Sequence, residues 1–420
     1  MTTIPQELVE VVLVDFDPVE DRDSLRAISL TATNFAGPAQ RILFRSLDVR
    51  AYEVLGWQRT FERALNLFNA SPHIAPYVKD LTIRLPLKAA LEHHNVLERL
   101  LPYFSGVRRF ILDGVGVSWD GLQPGLQSAL STFLLRSSLE KLHLIHISNL
   151  PVAVVTIAAQ KTPVLSLQNV FIDRSAEISP VSAEESTPPP LPCLNYLMLS
   201  SPHGMQSHLV QELILPSCTA NLRRLVVEQS AFSTELLRAI APTLTDLSLN
   251  CTGTRTSFTL PLLPHLVTLE LQVAPSWESI LPAWLPATLA ALSDAAPGLH
   301  TLTVRIALPV LDAYARKQDL VLPGTPGTAA ALAAVDAVLY GAVSRCIWEL
   351  AMAGAKAAAG VPTVANTLLS GMPNCADMAH CALVFARFRA AVERNVARMR
   401  AEGALEIRYA ERMGYVESLP

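Results

Sequence analysis

One spacing constrains this 420-residue chain more than any other feature: apolar-x-x-apolar-x-apolar occurs nine times. It appears as Val78-Leu81-Ile83, Val107-Phe110-Leu112, Leu139-Leu142-Leu144, Leu167-Val170-Ile172 and Leu194-Leu197-Leu199. It continues as Leu222-Leu225-Val227, Leu244-Leu247-Leu249, Leu266-Leu269-Leu271 and Leu299-Leu302-Val304. The first residues are 29, 32, 28, 27, 28, 22, 22 and 33 apart. In each unit the last two apolar residues alternate at period 2, so both point the same way from a short strand. Helix-like stretches such as 90–101, 123–135 and 283–294 lie between the strands, with proline-marked turns. The two 22-residue intervals leave room only for an extended or 3₁₀ return. No unit buries its apolar face alone, so the units must stack. Right-handed crossovers then give a parallel sheet with its helices on one face.

Composition removes several classes. Half the residues are hydrophobic and 17% are charged, which excludes a disordered chain. Thirty-three basic against 37 acidic residues give −4, no field for nucleic acid or a membrane surface. The most apolar stretch, 325–365, carries Asp336, Arg345, Glu349 and Lys356. A span needs about 20 residues nearly free of charge. Met1 to Phe16 has no basic start and already holds Glu7, Glu10 and Asp15, unlike a secretory signal. Six scattered cysteines form no Cys-x-x-Cys, so reduced thiols in the cytoplasm or nucleus are expected.

Two segments break the repeat. Residues 173–193 contain Pro188-Pro189-Pro190, which must be extended, and read as a surface insertion in which Ser182, Ser186 and Thr187 could be phosphorylated. From Pro323 to Arg400 alanine dominates. Leu332, Val335, Val338, Leu339 and Val343 share one helical face, and Cys381, Val384, Phe385, Phe388, Val392 and Val396 another. Residues 311–420 are therefore expected to form a helical C-terminal cap, with 404–409 as one more strand.

The N-terminal fifty residues read as three short helices. Thr3, Pro5 and Gln6 make a helix start, with Leu8, Val11, Val12 and Phe16 as an apolar face. Asp21 or Asp23 can cap a second helix carrying Leu25, Ile28 and Leu30; Pro38 opens a third with Ile42, Leu43 and Phe44. Such a unit is too small to bury a core of its own. Its order of residues resembles an F-box: Ile4-Pro5-x-Glu7-Leu8, then Ser24-Leu25-Arg26-Ala27-Ile28-Ser29-Leu30, then Arg41-x-Leu43-Phe44. Ala32 and Phe35 stand where that family often has Cys and Trp. The phrase 71–81, Ser-Pro-His-Ile-Ala-Pro-Tyr-Val-Lys-Asp-Leu, resembles the junction of fungal F-box proteins with divergent leucine-rich repeats, and the nine units resemble such repeats.

The resemblance implies a fold and a role. The fold is α/β: an F-box-like unit over 1–50, a connecting helix over 51–77, an irregular leucine-rich-repeat solenoid over 78–310 and the cap. The role is that of a non-catalytic substrate-recognition subunit of an SCF-type cullin–RING ubiquitin ligase, docked on a Skp-type adaptor. Ile4, Pro5, Leu8, Ile28, Leu30 and Phe35 would contact the adaptor or support that contact. The other reading is a repeat scaffold whose N-terminal helices merely cap it.

Nothing in the sequence assembles a catalytic centre. There is no Gly-x-Ser-x-Gly and no phosphate-binding glycine loop. His143 and His146 are three apart on a strand, and Cys375, His380 and Cys381 have poor zinc spacing. No cofactor or metal is expected. In the repeat register Phe171, Met198 and Val226 fall between the paired apolar residues, as an exposed apolar stripe on the concave face. Arg109, Tyr196 and Arg224 would rim it, making a surface for a protein substrate.

Overall fold

Parallel, in-register pairing of short strands organises the chain. The computed structural model describes residues 6–18, 20–31, 33–51, 59–86, 91–134, 136, 139–173, 193–200, 216–228, 234–252, 257–274, 281–308, 326–339, 343–352, 386 and 388–410. The chain divides into two units, Met1–Leu222 and Arg223–Pro420.

The first unit opens with helices α1 (Gln6–Leu13), α2 (Arg22–Thr31) and α3 (Thr33–Leu43), followed by strands β1 (Ser46–Arg50) and β2 (Arg59–Thr60). Strand and helix then alternate: α4 (Phe61–Ala70), β3 (Asp80–Arg84), α5 (Leu91–Leu100), β4 (Arg109–Ser118), α6 (Pro124–Leu134) and β5 (Lys141–Ser148). A short β6 (Leu150–Pro151), α7 (Val152–Lys161), β7 (Val164–Gln168), a short β8 (Ile172–Asp173) and β9 (Tyr196–Ser200) follow. The main sheet of this unit runs β2-β1-β3-β4-β5-β7-β9, and β6 pairs with β8 apart from it. All of these pairs are parallel.

Register places like on like. Leu47, Leu81, Phe110, Leu142, Leu165 and Leu197 form one row across six strands, and Val49, Ile83, Leu112, Leu144, Leu167 and Leu199 the next. None of the twelve is more than 5% exposed. Helices α4 to α7 pack side by side in chain order, and Phe133 of α6 meets Phe110 of β4 edge-on at 4.7 Å. The Thr60 hydroxyl accepts the Arg63 amide to cap α4.

The second unit repeats the scheme with β10 (Arg224–Glu228), β11 (Asp246–Asn250), β12 (Thr268–Val273), β13 (Thr301–Leu308), β14 (Arg345–Met352) and β15 (Leu405–Ala410), paired in that order. Leu225, Leu247, Leu269, Leu302 and Cys346 form its buried row, ending at the half-buried Leu405. Buried Asp336, on the helix Pro326–Leu339, accepts the amides of Arg398 at 3.1 Å and Met399 at 3.2 Å. That bond satisfies the first turn of the helix Ala397–Ala401.

Three expectations change. The sheet begins at β1, inside the stretch assigned to the F-box-like unit, because Leu47 and Val49 complete the rows of β3. The alanine-rich C-terminal segment is not helical throughout. Helix Pro326–Leu339 stands, but Arg345–Met352 is a strand, since pairing with β13 buries Cys346 and Trp348 completely and outweighs local helix propensity. The fourth unit lies five residues earlier than its motif suggested. Leu165 and Leu167 are its paired leucines, because Asn169 sits at φ 52° and turns the chain after Gln168. Val170 and Ile172 are buried beyond that turn and imitate the pattern. Residues 174–192 of the insertion lie outside the described residues.

Leu247 is fully embedded between Leu225 and Leu269. Leu247→Ala is expected to cost about 2–5 kcal/mol, read as a lowered urea midpoint at unchanged m-value.

Candidate functional site

Helix α1 carries apolar residues on more than one side, interrupted by Glu10, whose carboxylate pairs with Arg41 at 2.8 Å. Val9 and Leu13 turn inward onto Leu25 of α2 and Ala39 of α3, all at most 1% exposed. Phe16, Ile28, Phe35, Ile42 and Leu43 pack around that centre. Away from that side, Leu8 is 57% exposed, Val11 67%, Val12 63% and, just past the helix, Val14 72%. On α2, Leu30 is 87% exposed. Large apolar side chains left exposed on the sides of a helix away from its core mark a surface for a partner.

The six residues assigned to adaptor contact therefore separate. Leu8 and Leu30 are outward and accessible; Ile28 and Phe35 pack on the small core and hold the helices in place. Ile4 and Pro5 lie outside the described residues. The unit is tied to the first repeat, with the Arg45 carbonyl accepting the amides of Lys79 at 2.8 Å and Asp80 at 2.9 Å. The Arg41 guanidinium lies 5.8 Å over the Tyr77 ring.

The open face of the sheet, opposite the buried rows, is the second candidate. Its central row is Thr82, Ile111, His143, Ser166 and Met198. Exposure falls along it: Thr82 and Ile111 are half-buried, while His143 and Met198 are 2% and Ser166 0% exposed. Tyr196 and, in the second unit, Val226 are buried too. The expected stripe of exposed apolar side chains is thus not present. Phe171 is not in the row at all. It follows the turn at Asn169, half-buried, its amide bonded to the Ile147 carbonyl and its carbonyl to the Leu150 amide, both at 2.9 Å. Ser166 holds its place. Thr162, buried where the other repeats have Leu or Val, is what hid the true register. Arg109 and Arg224 are half-buried.

Charge on the open face is largely balanced internally. In the first unit Asp48 pairs with Arg50 at 2.9 Å and lies 3.9 Å from Arg84, and Asp113 pairs with His146 at 3.2 Å. Sequence reasoning missed this row, whose members come from four strands. A bulge between Asp113 and Val117 positions it, with Val115 at φ 48° and Gly114 so close to the His146 carbonyl that a Cβ would sit 2.7 Å away. In the second unit Arg305 bridges Glu270 at 2.7 Å and Glu349 at 2.9 Å. Burial, followed by the nearby Glu349, raises the Glu270 carboxyl above its usual range even though Arg305 opposes the shift.

Cys218, Cys251 and Cys346 are buried cysteines outside any disulfide and Cys193 a half-buried one. Burial pushes the Cys346 thiol up to about 12, so it packs as a small apolar group. Among the described residues no group of three His, Cys, Asp or Glu side chains is placed to hold a metal ion. Cys375, His380 and Cys381 lie outside them. Nor is any described helix long and apolar enough to cross a membrane.

No family model matches the chain, and no curated protein matches it. Among solved structures, the crystal structure of the Rad7 and Elc1 complex in yeast matches at 14% identity over 71% of this chain and 88% of that chain. Its TM-score is 0.29, a distant likeness.

Two outcomes follow from the buried open face. Met198→Glu places a carboxylate where the methionine is 2% exposed, and is expected to cost more than about 2 kcal/mol, seen as a lowered melting temperature. His143 titrates at about 4 in the folded chain against 6.5 ordinarily, through burial first and then the charges of Arg109 and Lys141. The unfolded chain thus takes up a proton as pH falls through 6.5, and the folded chain only near 4. His143 is expected to withdraw up to about 3 kcal/mol of stability across that window and none above it. Urea melts of His143→Leu beside the parent should show the parent losing up to about 3 kcal/mol relative to the variant as pH falls from above 6.5 towards 4.

Proposed function

We propose that this chain is a non-catalytic substrate-recognition subunit of an SCF-type cullin–RING ubiquitin ligase, working in the cytoplasm or nucleus. The N-terminal helices dock on a Skp-type adaptor, and the repeats receive a protein substrate. The observation that carries the reading is the uncovered apolar surface of Leu8, Val11, Val12, Val14 and Leu30. It lies within the segment whose residue order resembles an F-box. Several large apolar side chains exposed on a small helical unit suit a binding site, and helices of this kind seat in a partner's groove. The proposed role uses binding alone and calls for no cofactor.

A specific contact favours a second reading, in which the helices cap the repeats of a protein-interaction scaffold. The bonds from Lys79 and Asp80 to the Arg45 carbonyl tie α3 to the first repeat as a cap would be tied. Capping leaves the outer side of α1 and Leu30 uncovered, which is why the adaptor reading is preferred.

Leu8→Glu combined with Leu30→Glu separates the two. Both side chains are outside the core, so the melting temperature should hold while co-purification of a Skp-type adaptor and cullin is lost. Undiminished recovery of both partners would favour a different docking surface, and no recovery even with the parent chain would favour the scaffold.

A further inference from the structure

We propose that a pocket between α2 and α3 receives an acidic side chain of the protein that docks on the N-terminal unit. The pocket has a volume of about 200 Å³ and is lined by Arg22, Arg26 and Ser29 of α2 with Gln40, Leu43 and Phe44 across from them. The inference rests on the adaptor reading and specifies what charge the partner must bring.

Arg22 and Arg26 are one turn apart on one face of α2, a spacing at which like charges repel. Among the described residues Arg22 has no carboxylate within 4.0 Å. Arg26 reaches Asp23 at 3.2 Å, but that carboxylate is 95% exposed, a pairing of little strength. Burial first, then the charge of Arg26, holds the Arg22 guanidinium below its usual value. The Ser29 hydroxyl donates to the Arg26 carbonyl at 2.7 Å, so the donors facing an incoming group are the two guanidinia and the Gln40 amide. Guanidinium forks match a carboxylate bidentately.

The rest of the lining chooses between anions. Leu43 and Phe44 give the pocket an apolar wall, which a bare inorganic anion leaves uncovered. A carboxylate on a hydrocarbon stem satisfies both ends. Position selects the source. Arg22, Arg26, Ser29 and Leu30 lie at i, i+4, i+7 and i+8, one stripe of α2, and Leu30 is 87% exposed. A partner that covers Leu30 therefore passes the mouth of the pocket.

The test is isothermal titration of the full chain with a purified Skp-type adaptor, at low and at high salt. Arg22→Gln with Arg26→Gln is expected to weaken binding roughly tenfold at low salt and to flatten its salt dependence. Its circular-dichroism melt should match that of the parent. Leu8→Glu with Leu30→Glu serves as the control that removes apolar docking. If the parent binds and the arginine variant binds equally well, the pocket is not used, while the adaptor reading stands. If inorganic phosphate competes with the adaptor for the parent but not for the variant, the pocket's role at the interface is supported independently. If the parent binds no adaptor while folded, both readings fall together.

Discussion

Everything else in this protein depends on parallel strands stacking in register, so that two apolar residues per repeat meet their counterparts above and below. Leu142 lies between Phe110 and Leu165, and Leu269 between Leu247 and Leu302. A strand of five residues offers little by itself; repetition turns each into one layer of a continuous row. Helices are needed on the far side of that row because a parallel connection must cross over, and the crossover covers the leucines. Sequence period, sheet and helix layer are one constraint seen at three scales.

That constraint assigns the faces. One side of each strand is committed to the rows, so recognition falls to the open face and to whatever precedes the repeats. The open face of the first unit is largely closed by the chain's own charge pairs and by burial of His143, Ser166 and Met198. The N-terminal helices are the opposite case. Their small core uses one side of α1 and leaves large apolar side chains in water. Burying such a side chain fully yields about 1.5–3 kcal/mol, so a groove that covers several supplies most of a binding energy before the cost of association. Arg22 and Arg26 then contribute orientation and partner choice more than strength.

The leucine pairs were legible because period 2 within a strand and a spacing near 28 between strands are both written in residue type. What escaped was whatever another force decided. Thr162 replaced a repeat leucine and Val170 with Ile172 imitated one, so only the left-handed Asn169 revealed where the strand ends. Alanine around residue 350 suggested helix, yet Cys346 and Trp348 gained more from joining the sheet. The open face was misjudged for a different reason: residue type at a strand position says which side it takes, not what lies over that side. Leu8 and Leu30 could be named as candidates, but their exposure depended on which face of α1 the core would use. The arginine pocket needed α2 and α3 placed side by side, which no local pattern specifies.

The most direct test of the account is hydrogen exchange of the full chain with and without a purified Skp-type adaptor. Backbone amides of helices clamped by a partner open less often, so protection maps the docked surface. The account expects slowed exchange across Gln6–Leu13 and Arg22–Thr31, with the strands Asp80–Arg84 and Lys141–Ser148 unchanged. Protection confined to those strands, or unaltered exchange in both helices while the adaptor is bound, would contradict it.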